Sequence, residues 1–338
     1  MNNASLLQNT SQGDRSGRPP KVSIGLPVYN GERYLRQAIE SLLQQDFTDF
    51  ELLISDNAST DRTWEICQEY ASRDSRIRLY RHARNVGAIS NFEFVFNNTT
   101  GEYFLWHAHD DLRSKNTLTE CVDFLENHPD YVLCYTTTTV VDNEGKEIFS
   151  LFSDFSWDDA DRVTRLENCL DSYGQCHAIY GLIRRTALKA VLPIPQTPCA
   201  GDTIVVALLC ILGKCGEMRS ANRGFRQRTF SSIQEAREHY PKALFGPEAK
   251  TWFFPLTNAA VIIIRSIWGL DAISLTEKMR LIRVAVRSDM FSGCLRKDLL
   301  DILKLIVFRW GGDSLYLKAR NLKRWMNKKI AFTQLLVT

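Results

Sequence analysis

Several patterns that define common protein classes are missing from this 338-residue sequence. Its nine scattered cysteines include no Cys-x-x-Cys pair, which argues against a zinc module or a secreted disulfide framework. We expect reduced core cysteines in a cytosolic protein. No apolar run reaches the ~20 residues of a membrane-spanning helix. The formal net charge of +3 and the absence of a recognisable motif argue against nucleic-acid binding.

Two further absences narrow the choice of nucleotide-binding proteins. No Gly-x-Gly-x-x-Gly follows the first apolar strand, as a Rossmann dehydrogenase would require. A nucleotidyltransferase would need a glycine-rich first loop with a basic residue for a triphosphate. The loop Pro27-Val28-Tyr29-Asn30-Gly31 has neither feature. Residues 1–20 are polar, end in two prolines and lack an apolar stretch of signal-peptide length, so we expect a flexible lead-in.

The sequence does contain an alternation of apolar strands and amphipathic helices. The runs Val22–Leu26, Phe50–Ser55 and Ile77–Tyr80 each precede apolar residues at helical spacing, and a fourth run, Tyr103–Trp106, follows. Strands that alternate with helices predict parallel βαβ units and a sheet covered on both faces. We therefore predict an α/β fold.

The pattern becomes mixed in the second half of the chain. Tyr131–Val141 and Lys146–Phe152, joined by a turn-like tetrapeptide, predict a β-hairpin. Further strands are predicted at Ala178–Arg184 and Gly224–Phe230, and a helix is predicted at Asp202–Leu212. This half is therefore not expected to be a second doubly wound unit.

The C-terminal part reads as helical and amphipathic. Ala259–Leu270 is apolar but carries Arg265, and it is too short to span a bilayer, which favours a buried or interfacial helix. Between Arg296 and Lys329, ten Lys or Arg residues stand against three Asp and alternate with apolar and aromatic residues. That composition suits an anionic membrane surface, and a solvated basic helix face fits it equally well.

Two adjacent acids, Asp110 and Asp111, follow the fourth predicted strand. Acids at the carboxyl end of a strand are where an open α/β sheet holds a metal and a phosphorylated ligand. A surface turn before the next helix is the alternative interpretation. His107 and His109 make a zinc site conceivable, but no third ligand follows at a suitable spacing.

Taken together, the motifs resemble the family 2 glycosyltransferases of the GT-A fold over residues 21 to about 230. The motifs that carry the resemblance are Val22 to Asn30, Ile54-Ser55-Asp56-Asn57-Ala58-Ser59-Thr60-Asp61, Arg84-Asn85-Val86-Gly87, Ala108-His109-Asp110, Tyr180 to Arg185 and Ala200-Gly201-Asp202-Thr203. The resemblance implies a nucleotide-binding, mostly parallel sheet flanked by helices. It also implies these residues for nucleotide-sugar binding: Pro27, Tyr29, Asn30, Asp56, Arg84, Gly87, Asp111, Arg226 and Arg228.

Ala108-His109-Asp110 takes the place of the Asp-x-Asp metal motif of this family. Ala108 replaces the first acid, whereas Asp110 matches the second, which the resemblance implies as the direct ligand of Mg²⁺ or Mn²⁺. These hard ions retain water, so one carboxylate and two diphosphate oxygens can suffice. At the nucleoside end, Asn57 replaces a second acid that is often found there.

The resemblance implies Asp202 as the catalytic base. Inversion needs in-line attack by an acceptor hydroxyl, and a nearby carboxylate must take its proton. The alternative for Asp202 is a helix N-cap, and the two roles are compatible. Taken alone, Asn30 is interpreted as a residue of an ordinary strand-to-helix turn, and Asp61 is interpreted as a helix N-cap. Arg223 is expected to be a solvated surface charge.

These inferences give one functional expectation and one rival. We expect an inverting glycosyltransferase that transfers a sugar from a UDP-, GDP- or dTDP-sugar to a glycan or lipid-linked acceptor, in surface polysaccharide or glycolipid assembly. It would act in the cytoplasm or at the inner face of the membrane. The rival is a non-catalytic nucleotide-sugar-binding or partner-binding scaffold with a degenerate metal motif. The predicted divisions are a lead-in at 1–20, a GT-A domain at 21–235 with halves 21–112 and 113–235, and a helical region at 236–338.

Overall fold

The computed structural model describes residues 7–8, 18–151, 157–172, 176–195, 201–226, 255–270 and 273–288. The strands in these ranges are β1 (Leu7–Gln8), β2 (Val22–Val28), β3 (Phe50–Asp56), β4 (Ile77–Arg81), β5 (Tyr103–Trp106), β6 (Leu112–Arg113), β7 (Tyr131–Val141), β8 (Glu147–Leu151), β9 (Leu182–Arg184) and β10 (Lys214–Arg226). The helices are α1 (Leu35–Leu43), α2 (Thr63–Ala71), α3 (Ala88–Asn97), α4 (Thr117–Asn127), α5 (Arg162–Asp171), α6 (Arg185–Val191), α7 (Gly201–Leu212), α8 (Pro255–Trp268) and α9 (Leu275–Arg287), with a 3₁₀ helix at Cys176–Tyr180.

All the strands belong to one mixed sheet with the order β1-β4-β3-β2-β5-β9-β7-β10-β6, in which β8 pairs with β7. β4, β3, β2 and β5 are parallel neighbours. β9 runs antiparallel to both β5 and β7, so β7 points the same way as β5, and β10 is parallel to β7. The carboxyl ends of these six parallel strands therefore lie along one edge of the sheet.

Helices cover the sheet on both faces, as predicted. All seven residues of β2 and of β3 are buried, which is typical of parallel strands with helices on each side. One hydrophobic cluster unites a sheet face with α1, α2 and α4, and the other unites the opposite face with α3, α5, α7, α8 and α9. The predicted α/β architecture is thus confirmed.

The predicted hairpin is confirmed, because β7 and β8 pair antiparallel. The predicted strand Ala178–Arg184 was wrong over its first half, where the 3₁₀ helix precedes a strand that begins only at Leu182. Ala178 and Ile179 are apolar because they enter the core, not because they pair with a strand. The strand predicted from Gly224 begins ten residues earlier, at Lys214, since it pairs along β7. Residues 227–230 lie outside the described ranges.

A close approach between strands explains one glycine of the first half. Gly101 lies beside Ser23 on β2, and its backbone N–H donates to Ser23 Oγ at 2.7 Å. A Cβ at this position would come within 2.6 Å of the Ser23 backbone nitrogen. A side chain there would therefore push two backbone segments apart.

The two C-terminal helices of the described part join the core of the preceding elements. Ile263 and Ile267 of α8 and Leu281 of α9 are buried in the cluster that contains α5 and α7. The predicted apolar stretch Ala259–Leu270 thus lies largely within α8. The domain boundary at 235 and the basic segment 296–338 lie outside the described residues and stay predictions.

No helix among the described residues is long and apolar enough to cross a membrane. The described cysteines are buried, and no disulfide joins them. The sulfur atoms of Cys210 and Cys215 are 3.7 Å apart.

Candidate active site

The loops that follow the parallel strands meet at the carboxyl edge of the sheet. β2 ends at Val28, β3 at Asp56 and β5 at Trp106, and each strand leads directly into one of the predicted motifs. Ligands of open α/β sheets bind in the crevice outside these strand ends. The structure therefore brings the predicted donor-binding motifs together.

The first loop is fixed to the second by hydrogen bonds from Asn30. This residue has a positive φ of 50°, its backbone N–H donates to Ser59 Oγ at 2.9 Å, and its Oδ1 accepts from the Thr60 N–H at 2.9 Å. Pro27 is buried within β2, whereas the Tyr29 side chain is exposed. Of these predicted residues, Tyr29 and Asn30 thus have a surface open to a ligand, and the Asn30 side-chain oxygen is already used by the Thr60 N–H.

Asp61 lies one residue before the N-cap of α2, which is Arg62, so Asp61 is not the N-cap that we expected, although its carboxylate still binds the start of this helix. Its Oδ1 accepts from the Thr63 backbone N–H at 3.0 Å, and its Oδ2 accepts from the Glu32 N–H at 3.1 Å. Burial alone would raise the pKa of this carboxyl, but the hydrogen bonds from Thr63 and Glu32 outweigh it and lower the pKa. The carboxylate therefore joins the first loop to the second helix.

Asp56 is fully buried at the end of β3. Its Oδ1 accepts from the Ser59 N–H at 3.1 Å, and Arg81 Nε lies 3.0 Å from its Oδ2. Arg81 also donates to the Ser59 carbonyl and stacks over the Trp64 ring. Asp56 thus forms part of the pocket wall, where it fixes the loop that begins at Asn57.

The hydrogen bonds of Asn57 explain why an amide, rather than a second acid, suits this position. Its Nδ2 donates to Asn85 Oδ1 at 3.0 Å, and its Oδ1 accepts from the Val86 N–H at 2.9 Å. A carboxylate could accept but not donate, so it would lose one of these bonds. Gly87 has a φ of 83°, which favours glycine, and Arg84 is exposed beside it.

The Asp110–Asp111 turn is anchored through the second acid. Arg223 Nε donates to Asp111 Oδ2 at 2.7 Å, and only 2% of either side chain is exposed. Our expectation that Arg223 is a solvated surface charge was wrong. Arg223 lies directly opposite Arg113 in the β10–β6 pairing, which carries it beneath the turn. Asp111 is thereby engaged within the protein.

Arg226 holds the first acid through its backbone. Its guanidinium donates to the carbonyl of Asp110, to the carbonyl of Asp142 in the β7–β8 turn, and to Gln37 Oε1 on α1. The same group lies over the Tyr34 ring, with 4.6 Å to the ring centroid. Arg226 thus joins three segments around Asp110, whereas Arg228 lies outside the described residues.

The Asp110 carboxylate itself is left available by this arrangement. The side chain is partly exposed, and among the described residues no hydrogen bond or ion pair to its carboxylate is found. Ala108 supplies no ligand, and the described ranges hold no group of three His, Cys, Asp or Glu residues that could bind a metal. A hard cation would fit here with Asp110, water and the oxygens of a bound diphosphate as its ligands.

A buried, positively charged layer lies beneath the turn, and sequence reasoning missed it. Arg113 Nε donates to Nδ1 of the buried His107 at 3.3 Å, and burial together with the charge of Arg223 lowers the pKa of Arg113 to about 10. The pKa of His107 is well below its ordinary value because of burial and the same two arginines. Burial and Arg223 also lower the pKa of His177 to about 4. A neutral His107 that accepts from Arg113 does not favour the zinc alternative.

Asp202 lies in the first turn of α7, one residue after the helix begins, so it is not the N-cap itself. Its Oδ1 accepts from the Thr203 N–H at 2.8 Å. The side chain is exposed, and desolvation raises the pKa of its carboxyl. The charges of Asp110, Asp111 and Asp202 all raise the pKa of the half-buried Tyr180, so Tyr180 lies within electrostatic reach of the three acids.

The model of Glycosyl transferase family 2 matches residues 23–192, which is half of the chain. The chain belongs to glycosyltransferase family 2. The matched region contains the first three loops of the site, the Asp110–Asp111 turn and the Tyr180 segment, and Asp202 lies just beyond it.

Curated members of glycosyltransferase family 2 resemble the first half of the chain. Glycosyltransferase EpsE of Bacillus subtilis is 37% identical over 127 residues, which are 37% of this chain and 46% of EpsE. Chondroitin synthase of Escherichia coli is 33% identical over 132 residues, which are 39% of this chain and 19% of that protein. The chain thus matches about half or less of the length of these relatives.

Solved structures of the family show the same fold. Crystal structures of S. aureus TarS 1–349, alone and in complex with UDP-GlcNAc, each superpose with a TM-score of 0.60 and cover 84% of this chain and 80% and 81% of TarS. Their sequences are 16% and 17% identical to it. The predicted GT-A fold is confirmed by these neighbours.

Proposed function

We propose that this family 2 member is an inverting glycosyltransferase that moves a sugar from a UDP-, GDP- or dTDP-sugar to an acceptor hydroxyl. The observation that carries the proposal is the arrangement around Asp110. Its carboxylate is available at the carboxyl edge of the sheet, while Arg223 and Arg226 hold the turn from behind. Asp202 contributes a second exposed carboxylate, and its charge, like that of Asp110, raises the pKa of Tyr180.

The donor nucleoside is proposed to lie over the first three loops. Tyr29 and Arg84 are exposed there, and an arginine can pair with phosphate or stack on a base. Gly87 allows a close approach of its backbone to the ligand. Pro27, Asn30 and Asp56 support this surface, since their contacts fix the loops on which the ligand would rest.

Asp110 would hold Mg²⁺ or Mn²⁺ together with diphosphate oxygens of the donor, for which its available carboxylate is suited. The bound cation offsets the negative charge that develops on the leaving diphosphate. The buried Arg113 and Arg223 add positive potential beneath the turn, while Arg226 keeps Asp110 in place. The position of Asp110 would thus depend on Arg226 directly and on Arg223 through Asp111.

Asp202 would take the proton of the attacking hydroxyl. A carboxyl whose pKa is raised by desolvation is a better proton acceptor than an ordinary one. Its exposed position in the first turn of α7 leaves room for an acceptor in front of it. In-line attack from this side would invert the configuration at the anomeric carbon.

We propose a glycan or lipid-linked acceptor, in surface polysaccharide or glycolipid assembly. Relatives of this chain include a chondroitin synthase, which by its name assembles a polysaccharide. An acceptor carried by a lipid would place the enzyme at the inner face of the membrane. The basic composition of residues 296–338 supports such a position.

Release of nucleoside diphosphate tests the proposal. UDP-, GDP- and dTDP-sugars are each supplied with Mn²⁺ or with EDTA to the native chain, to Asp110→Asn and to Asp202→Asn. We expect metal-dependent release from one donor class and at least a hundredfold loss in both variants. Asp123→Asn changes an exposed acid on α4 and is the matched control, with unchanged release.

The absence of an acid at Ala108 favours one second candidate, a scaffold that binds nucleotide sugar without turnover. A scaffold would bind UDP or GDP in calorimetry yet release no nucleoside diphosphate, even with a mixture of bacterial glycan and lipid acceptors. Metal-dependent release that is lost in Asp202→Asn would rule against it.

A further inference from the structure

The outer face of α9 carries an apolar strip that lies largely outside the protein core. Leu275, Met279 and Val286 are 64%, 56% and 42% exposed, and Ile282, which packs partly against the core, lies between them. Positions 275, 279, 282 and 286 follow the spacing of one helix face. We call these four residues the α9 strip. Large apolar side chains grouped in this way on a surface mark a contact with another molecule or with a membrane.

The inner face of the same helix already has its partners. Leu281 and Ala285 are buried in the main core, and Glu277 completes a capping box with Ser274. Two ion pairs join the helix to α5, Arg280 with Asp161 at 3.2 Å and Arg162 with Glu277 at 3.5 Å. The α9 strip therefore belongs to a well-anchored helix rather than to one that lacks its core contacts.

The neighbouring helix extends this apolar surface. Val261 and Trp268 of α8 are exposed, while Ile263 and Ile267 face the core. Lys278 Nζ donates to the Trp268 carbonyl at 2.8 Å, which places the end of α8 beside the first turn of α9. Trp268 thus lies near Leu275, at one end of the strip.

Basic residues flank the α9 strip. Arg283 lies on the adjoining side of the exposed face next to Arg280, which pairs with Asp161, and Arg265 lies on α8 between Val261 and Trp268. Glu277 is the single acid of α8 and α9, and it is paired with Arg162. The outer face of the two helices therefore combines apolar side chains with an excess of positive charge.

We propose that the outer face of α8 and α9 docks on a bilayer that contains anionic phospholipids. The interface of such a bilayer offers acyl chains to the α9 strip and phosphates to the arginines beside it. A protein partner would need acidic side chains placed opposite these arginines, whereas an anionic membrane presents phosphate groups over its whole surface. α9 ends at Arg287, and the segment that follows has ten Lys or Arg residues against three Asp between 296 and 329.

This docking surface deepens the proposed function, on which its biological meaning rests. α8 packs against α7, whose first turn carries Asp202, and α9 packs against α5. The proposed base and the docking surface thus lie in the same half of the protein. A lipid-linked acceptor would be presented to Asp202 from the membrane on which α9 rests.

Vesicle co-sedimentation of the full-length chain tests the proposal. Vesicles of phosphatidylcholine, with or without phosphatidylglycerol, are compared for the native protein, Leu275→Glu/Met279→Glu and Arg283→Glu. We expect binding only to vesicles with phosphatidylglycerol, a loss of at least tenfold in the double variant, and a loss of about fivefold or more in the arginine variant. Ile148→Glu/Phe149→Glu is the matched control, because these β8 residues are similarly exposed, and it should bind like the native chain.

Three results would overturn the proposal. The first is native-like vesicle binding by the double variant, and the second is equal binding to neutral and anionic vesicles. The third is a sedimentation-velocity result in which the native protein is a dimer and the double variant is a monomer. It would mean that the α9 strip contacts a second copy of the chain. Nucleoside diphosphate release from a soluble donor is measured in parallel. A failure of that activity in the presence of the glycan and lipid acceptor mixture, with intact vesicle binding, would refute the enzyme and not the surface.

Discussion

The buried ion pair beneath the Asp110–Asp111 turn gives a prediction with a large and characteristic effect. Arg223 and Asp111 are both 2% exposed, and their closest atoms are 2.7 Å apart. Two unit charges about 4 Å apart attract by about 4 kcal/mol at an effective dielectric constant of about 20. Arg223→Met removes this attraction and leaves a buried carboxylate without its partner. The free energy of unfolding should fall by about 3–5 kcal/mol at neutral pH.

The pH dependence separates a lost ion pair from a simple packing defect. Burial already raises the pKa of Asp111 in the native protein, because the attraction of Arg223 offsets it only in part. Without Arg223, this pKa rises further above its value in the unfolded chain. The folded variant then binds the proton more tightly than the unfolded chain does, so the stability loss should be greatest at pH 8 and shrink as the pH falls towards 4.

Urea unfolding at pH 8 and pH 5, followed by tryptophan fluorescence, measures this effect. Asp111→Asn added to Arg223→Met removes both charges and should recover part of the lost stability. Arg219→Met is the control on the same strand, because Arg219 is largely exposed and pairs with Glu217 at 3.5 Å. It should cost about 0–1 kcal/mol. A loss below 1 kcal/mol in Arg223→Met, or one independent of pH, would refute the reasoning.

Three further predictions concern the metal motif, pH and packing. Ala108→Asp restores the first acid and should raise the affinity for Mn²⁺ about tenfold in calorimetry with UDP. Ala108→Asn, the control, should leave this affinity unchanged. Equal affinities of Ala108→Asp and the native chain would mean that position 108 does not face the cation. Because the pKa of His177 is lowered in the folded protein, the unfolded chain binds a proton first, and stability should fall as the pH drops from about 6.5 to 4. His177→Phe should flatten this dependence of the thermal unfolding temperature on pH. An unchanged dependence would mean that His177 does not cause the loss of stability. Gly101→Ala should cost about 1–3 kcal/mol because its Cβ meets the Ser23 backbone, and a native-like urea midpoint would contradict that clash.

The sequence was most informative where a local pattern determines the structure. Short, largely apolar runs predicted β2, β3 and β5 because fully buried parallel strands need such runs, whereas β4 alternates between buried and partly exposed residues. The unbroken apolar stretch after Asp202 predicted α7 to within one residue. The loop motifs at strand ends predicted which segments would meet, since parallel strands deliver their carboxyl ends to one edge.

The sequence was least informative about partners that are distant along the chain. Arg223 lies in a polar segment that reads as surface, and nothing local indicates that β10 pairs with β7 and carries it beneath Asp111. Tyr34, Gln37 and Arg113 have ordinary surroundings in the sequence, yet all three contact the site. The repeated arginines of β10, Arg223 and Arg226, were a usable signal, because such residues must find acceptors when their strand is buried.

The nine consecutive buried residues of α7, from Thr203 to Ile211, have a consequence for motion. A helix enclosed on every side opens only when the surrounding core opens, so its amides should be among the slowest in the chain to exchange with deuterium. Asp202 is attached to the end of this slow element. As the proposed base, its carboxylate would stay in place during turnover, and the acceptor would have to move towards it.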